Sequence, residues 1–367
     1  MSWPGSIRAV LVPCILLASC ASEPQGTCEE VIDLFIWSEM AKRRIPGLAL
    51  AIVDRGELVR CRGYGIADLE HGVRATPDTV FELASITKTF TAAAILMLVE
   101  EGKLTLEDPI ERHLPGAPEA LRGITVRHLL THTSGLKDRF EPQVGGTWFL
   151  DYSTENLFRN AARLPLDFAP GERGQYSDQG YFLLGMIIEK VAGRRYGEFL
   201  AGRIFQPLGM MSTTLRDQWA ILKNRAPSYT VRDGALVQNR RSAQIELVSH
   251  YGIMSTARDL ARYGIALDRG DLLSKEVLAR MWTPAKLHNG SVADVLGRPY
   301  GLGWFLGTHE GRRTVEHGGV TGTHLLRIPE ERLTVIVLTN LDWAAGSVPS
   351  TLTRGVADLY LRCYAPK

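Results

Sequence analysis

Between Ile86 and Val99 the chain carries one charge, Lys88, in a run whose apolar members Ile86, Phe90, Ala93, Ala94 and Met97 repeat at helical spacing. A helix with so little polar surface belongs inside a fold, so the lysine goes into the core with it. A buried ammonium is costly unless it is paired or loses its proton. Ser85 supplies a reason for it: three residues earlier, on the first helical turn, it shares a face with Lys88, and the amine can hydrogen-bond its hydroxyl. A serine cap followed by a surface lysine is the bland reading of S-x-x-K. The apolar run around Lys88 argues against it.

At 367 residues the chain suits two intimate domains with a large core. Lys and Arg number 42 against 40 Asp and Glu, a net charge of +2 that gives no reason to expect nucleic acid. Arg43-Arg44 and Arg240-Arg241 read as solvated faces. Past the N-terminus no apolar span reaches the roughly 20 residues of a transmembrane helix, so none is expected.

Residues 1–24 read as a targeting segment, with Arg8 as a positive start, an apolar core from Ala9 to Leu17 and small residues after it. Leu17-Ala18-Ser19-Cys20 resembles the bacterial lipobox, which implies cleavage before Cys20 and lipidation of that cysteine. Conventional cleavage after Ala21 is the alternative. The expectation is an exported protein, periplasmic or attached to the outer membrane, whose membrane contact is confined to an N-terminal lipid anchor. Export leaves Cys28, Cys61 and Cys363 in an oxidising compartment. A Cys28–Cys363 bridge is predicted, because each lies at the outer end of a terminal helix and chain termini often lie close together. Cys61, in a strand-like run, is expected to pack as a small hydrophobe.

Helical patterns cover Glu29 to Arg44, Glu155 to Arg163, Tyr181 to Val191, Tyr196 to Phe205 and Ser347 to Leu361. Strand patterns cover Leu48 to Val53 and Leu58 to Ala67, joined by Arg55-Gly56, and later Gly303 to Thr308, Arg313 to His317, Gly322 to Ile328 and Leu333 to Thr339. Early and late strands must pair across a helical insert. The fold class is therefore α/β (α+β): an antiparallel sheet flanked by helices, from residues 25–89 and 251–367, with residues 90–250 as a mostly helical second lobe. Ser85 falls at the seam between lobes, where ligand sites often occur.

Two further groups sit at element ends. Tyr176-Ser177-Asp178 follows the turn-rich Ala169-Pro170-Gly171-Glu172-Arg173-Gly174, and His317-Gly318-Gly319 ends a strand pattern. Alone, each means almost nothing. In order and spacing, Ser85-x-x-Lys88, Tyr176-x-Asp178 and His317-Gly318-Gly319 resemble the three motifs of the serine β-lactamase and penicillin-binding protein superfamily. The match is closest to its class C branch, with its β-lactamase-like carboxylesterases and D-alanyl-D-alanine carboxypeptidases. HLLTHTSGL from His128, IFQPLGM from Ile204 and GIMSTARDLARY from Gly252 are in the same style.

The resemblance implies a β-lactamase-like fold and needs no metal or organic cofactor. It makes Ser85 the acylated nucleophile and gives its proton to Lys88 and Tyr176, with Tyr176 as the base that later activates water. A tyrosine can serve if the nearby ammonium lowers its pKa. The backbone N–H groups of Ser85 and Val320 would form the oxyanion hole, and Gly318 and Gly319 would let that strand edge approach the substrate.

Two departures bear on substrate. The class C third motif begins with Lys, whereas His317 is mostly neutral near pH 7 and should attract a β-lactam carboxylate less. The second motif usually ends in Asn, but an ionised Asp178 only accepts hydrogen bonds and should favour a charged Lys88. Both favour ester or small-peptide hydrolysis over β-lactam hydrolysis. His128 and His132, four apart, are read as structural hydrogen-bonding groups in preference to zinc ligands. His324 and Glu316 fit a pocket wall or a strand face equally well, and Trp148, Phe149 and Tyr152 fit either a pocket wall or packing between lobes. The expected function is an exported serine hydrolase acting on a small ester, amide or short peptide. Carboxylesterase leads, followed by D-amino-acid peptidase and weak β-lactamase. A cell-envelope sensor or scaffold acylated at Ser85 is the non-enzymatic alternative.

Overall fold

The computed structural model describes residues 27–137, 153–161, 164–217, 219–239, 246–342 and 348–364. The targeting segment with Cys20, the Trp148, Phe149 and Tyr152 cluster and Arg240-Arg241 lie outside them.

Seven antiparallel strands form the central sheet. In chain order they are β1 (Gly47–Asp54), β2 (Glu57–Asp68), β3 (Val73–Arg74), β4 (Phe305–His309), β5 (Arg312–Gly319), β6 (Thr323–Ile328) and β7 (Leu333–Thr339), and across the sheet they run β4-β5-β6-β7-β1-β2-β3. The early and late halves of the chain meet where β1 pairs with β7, Leu48 opposite Thr339 and Asp54 opposite Leu333. Both strands are buried on both faces, as their unbroken apolar runs require. Leu48, Leu50, Ile52, Val335 and Val337 project to one side and Ala49, Ala51, Val53, Ile336 and Leu338 to the other, the period of two that a pleated strand imposes.

Helices α1 (Cys28–Arg43) and α5 (Val348–Tyr364) cover the first side through Ile32, Ile36, Leu352 and Val356. A capping box between Thr27 and Glu30 starts α1, and Cys28 is disulfide-bonded to Cys363 in the last turn of α5. Cys61 is unbridged and half-buried in β2, with burial pushing its thiol up to about 11. Helix α4 (Ala257–Arg269) packs on the other side against β1 and β7. The sequence reading assigns no helix there, although Thr256 caps it by accepting from the Asp259 N–H.

The second lobe centres on α2 (Thr87–Glu100) and α3 (Asp178–Ala192). Helix α2 runs unbroken through residue 90, where the sequence suggests the boundary between lobes, and a hairpin of Tyr229–Arg232 with Ala235–Gln238 adds β structure to the insert. Within Tyr196 to Phe205 the α-helix stops at Leu200 and the chain widens into a π-helical turn over Ala201–Phe205. A three-stranded ribbon, Phe81–Glu82 with Ile253–Ser255 and Thr214–Leu215, ties the insert to the segment entering Ser85.

Candidate active site

Ser85 lies in a 3-10 turn, Ala84–Ile86, immediately before α2, so the turn that presents it is tighter than the first α-helical turn expected. Ala84 has φ 46°, a left-handed conformation that costs a non-glycine residue energy and is typical of residues held beside functional groups. Ser85 remains partly accessible while Lys88, one turn on, is fully buried. The Lys88 ammonium donates to Ser85 Oγ at 3.2 Å, to Asp178 Oδ1 at 2.5 Å and to the His250 carbonyl at 2.8 Å. It therefore has the pairing that its burial demands.

The second group arrives on α3. Ser177 caps that helix and Asp178 is its first residue, where the positive end of the helix dipole favours a carboxylate. Tyr176, just outside the helix and half-buried, lies against Lys88, whose ammonium is 4.8 Å from the centre of its ring. Burial pushes the Lys88 pKa down most strongly of any single cause, but Asp178 and Tyr176 together outweigh it and leave the ammonium above its ordinary value. Asp178 shows the converse: burial pushes its carboxyl up, and Lys88 brings it below the usual range. For Tyr176 the expectation is corrected. Lys88 does draw its phenol down, yet burial pushes it up more strongly and Asp178 adds to that, so the resting phenol is protonated.

The third group closes the site from β5. Gly319 is required by the chain's own packing before any substrate arrives, because a Cβ there would lie 2.2 Å from the Leu83 carbonyl oxygen and 3.0 Å from the Ala84 side chain. Next to it, Val320 is exposed at the hairpin tip. His317 differs from a surface grip: it is buried, its Nε2 lies 3.1 Å from the Tyr300 hydroxyl and its Nδ1 2.9 Å from the Gly318 carbonyl. Burial, with Lys88 nearby, pushes its pKa down to about 3, so it is neutral. Gly318 sits beside His324 on the outer side of this turn.

Three neighbours complete the framework. His132 accepts the Ser177 N–H on Nδ1 at 3.1 Å, its carbonyl accepts the Gln175 N–H, and its ring lies 4.4 Å from that of Tyr176. This structural histidine thus aims the second group. His128 serves separately, accepting the Thr125 N–H. Tyr300 and the His250 carbonyl are absent from the sequence reading; a backbone carbonyl leaves no side-chain signature, and Tyr300 sits in no recognisable motif. His324 and Glu316 face away from the site, His324 bonding Thr353 of α5 at 2.7 Å. The strand-face reading of these two therefore holds.

The chain as a whole is similar to known proteins. Penicillin-binding protein 4* of Bacillus subtilis is 32% identical over 324 residues, covering 82% of this chain and 69% of its own. Protein Flp of Staphylococcus aureus (strain MW2) is 28% identical over 86% of this chain, which spans 63% of Flp, so these relatives extend beyond it. The octameric penicillin-binding protein homologue from Pyrococcus abyssi superposes with a TM-score of 0.78 at 32% identity, over 91% of this chain and 77% of that one. The Beta-lactamase family profile matches residues 32–354. The family match spans most of the chain, which belongs to the Beta-lactamase family, serine hydrolases built on the β-lactamase fold.

Proposed function

We propose that the protein hydrolyses small esters or amides through an acyl-enzyme on Ser85, with carboxylesterase action favoured. The observation that carries this is an accessible hydroxyl 3.2 Å from a buried lysine whose ammonium also lies 4.8 Å from the centre of the Tyr176 ring. Ser85 Oγ attacks the carbonyl carbon, and its proton passes to the Lys88–Tyr176 pair and then to the departing alcohol or amine. Water, deprotonated by Tyr176, releases the acid. The backbone N–H groups of Ser85 and Val320 would hold the oxyanion. Because the resting pair holds both its protons, one must leave before attack, and turnover should rise with pH.

Neutral His317 and the acceptor Asp178 support esters over β-lactams. The names of the penicillin-binding relatives favour a second reading, a peptidase of D-amino-acid peptides. The Cys28–Cys363 bridge supports an exported protein, and lipidation of Cys20 is tested by palmitate labelling of growing cells. For the main reading, hydrolysis of a short-chain nitrophenyl ester and of a chromogenic cephalosporin is compared for the mature protein and Ser85→Ala. We expect ester turnover to exceed cephalosporin turnover and Ser85→Ala to abolish both. Activity retained in that variant places the nucleophile elsewhere, and a stable adduct without product release turns the protein into a sensor.

A further inference from the structure

Against Phe81 and Glu82, in the segment leading to Ser85, and Thr321 of the β5–β6 hairpin lies a cavity of about 370 Å³, large enough for a small organic group. Its walls belong to the framework of the active site. Glu82 precedes Ser85 by three residues, and Thr321, next after Val320, donates its hydroxyl to the Glu82 carbonyl. Arg216 and Arg225 also line it. Arg216 is buried, with its guanidinium 3.8 Å from the Glu82 carboxylate and 3.2 Å from the Tyr251 hydroxyl, so that its charge is offset within the wall.

Arg225 is different. Its guanidinium makes no ion pair or hydrogen bond among the described residues, although the loop bearing it is firmly held: Val80 donates to the Asn224 carbonyl and Ala226 to the Val80 carbonyl, both at 2.9 Å. On the same loop the Ser228 hydroxyl is buried in the cavity wall without a partner. Phe81 and Met254 supply apolar wall between these groups and the strand leading to Ser85. An unmatched guanidinium and an unused hydroxyl, presented by an anchored loop beside an apolar surface, are complementary to a single anion on an aliphatic stem.

We infer that this cavity is a substrate subsite for a monoanionic group, and that the preferred substrates are small esters or amides carrying one carboxylate-like anion a few bonds from the scissile carbonyl. This rests on hydrolysis at Ser85 as proposed above. It also gives an anionic substrate a grip where His317, buried and bonded to Tyr300, offers none.

The test compares kcat/KM for nitrophenyl hydrogen glutarate and its uncharged methyl ester, at low salt. The charged ester should be preferred about tenfold, the weight of one charged hydrogen-bonded contact, and Arg225→Gln should remove most of that ratio while Arg225→Lys restores part of it. Equal values for the two esters, or a ratio indifferent to Arg225→Gln, overturn the subsite even if hydrolysis itself is intact. If neither ester is cleaved, the hydrolytic reading fails by itself, and the subsite is then judged by glutarate binding to the Ser85→Ala protein in ligand-observed NMR. Binding that Arg225→Gln weakens upholds the subsite; absent binding, or equal binding in both proteins, overturns it.

Discussion

Lys88 and Glu316 are two fully buried charges on opposite sides of strand β5, and they are stabilised in opposite ways. Lys88 is surrounded by a hydroxyl, a phenol and a carboxylate that is one-third exposed, groups able to exchange protons with it. Glu316, one residue before His317 and so on the other face of the strand, is held by the Arg298 and Arg354 guanidiniums, the latter at 2.7 Å, with His324 Nε2 at 3.8 Å. Arginines do not give up protons near neutrality. One cluster can therefore move a proton, and the other can only fasten β5 to α5. Burial of charge by itself does not mark a catalytic centre; the company of weak acids does.

The largest effect should come from Lys88→Met. Turnover should fall by about a thousandfold or more, since the proton acceptors of Ser85 lose their organising charge. Melting temperature should hardly drop, because an apolar side chain of similar length avoids the cost of the buried ammonium and Asp178 keeps access to water. A collapse in thermal stability with activity retained per folded molecule would reverse the comparison. Glu316→Gln should behave as its mirror image. It leaves two guanidiniums without a countercharge and should cost about 3–5 kcal/mol in denaturant unfolding, with the active fraction still acylating at Ser85. A smaller cost comes from opening the Cys28–Cys363 bridge, which joins positions 335 residues apart. The double serine variant should lose about 2–4 kcal/mol of stability. That loss should appear in unfolding midpoints and leave the Lys88 cluster intact.

Much of this was legible beforehand, for identifiable reasons. The strands β1, β2 and β4–β7 announce themselves through apolar runs between turns, and α2 through its lack of charge. The terminal bridge follows from where two helices begin and end. Helix α4 was hidden because its letters were read as a family motif, so the cap at Thr256 went unused. In the site, Ser85, Lys88, Tyr176 and Asp178 were visible as spaced residue types. The state of Tyr176 was not, because a phenol's pKa depends on how deeply tertiary packing buries it, and sequence carries only the neighbouring charge. The Arg225 cavity was equally invisible, since its walls come from seven separate stretches of chain.

Asp178→Asn has the smallest expected effect and separates the two kinds of buried charge most sharply. Burial acts on Lys88 to lower its pKa, and the carboxylate at 2.5 Å together with Tyr176 more than offsets it. Removing that charge leaves only Tyr176 to oppose burial, so Lys88 becomes a free base at lower pH. The rising limb of kcat/KM should move to lower pH, with a higher rate on that limb. Turnover of a β-lactam should rise as well, because an asparagine amide can donate to a substrate amide carbonyl where a carboxylate cannot. Stability has its own sign. The folded pKa of Asp178 is depressed, so its contribution is in place above the unfolded carboxylate range and disappears as pH falls through the folded value. The variant should lack that part of the acid-side decline while keeping the part due to Glu316, whose carboxyl is also held low despite its burial. A limb that does not move means that Lys88 is not the group titrating in catalysis, and unchanged or lower β-lactam turnover removes Asp178 from the control of substrate choice.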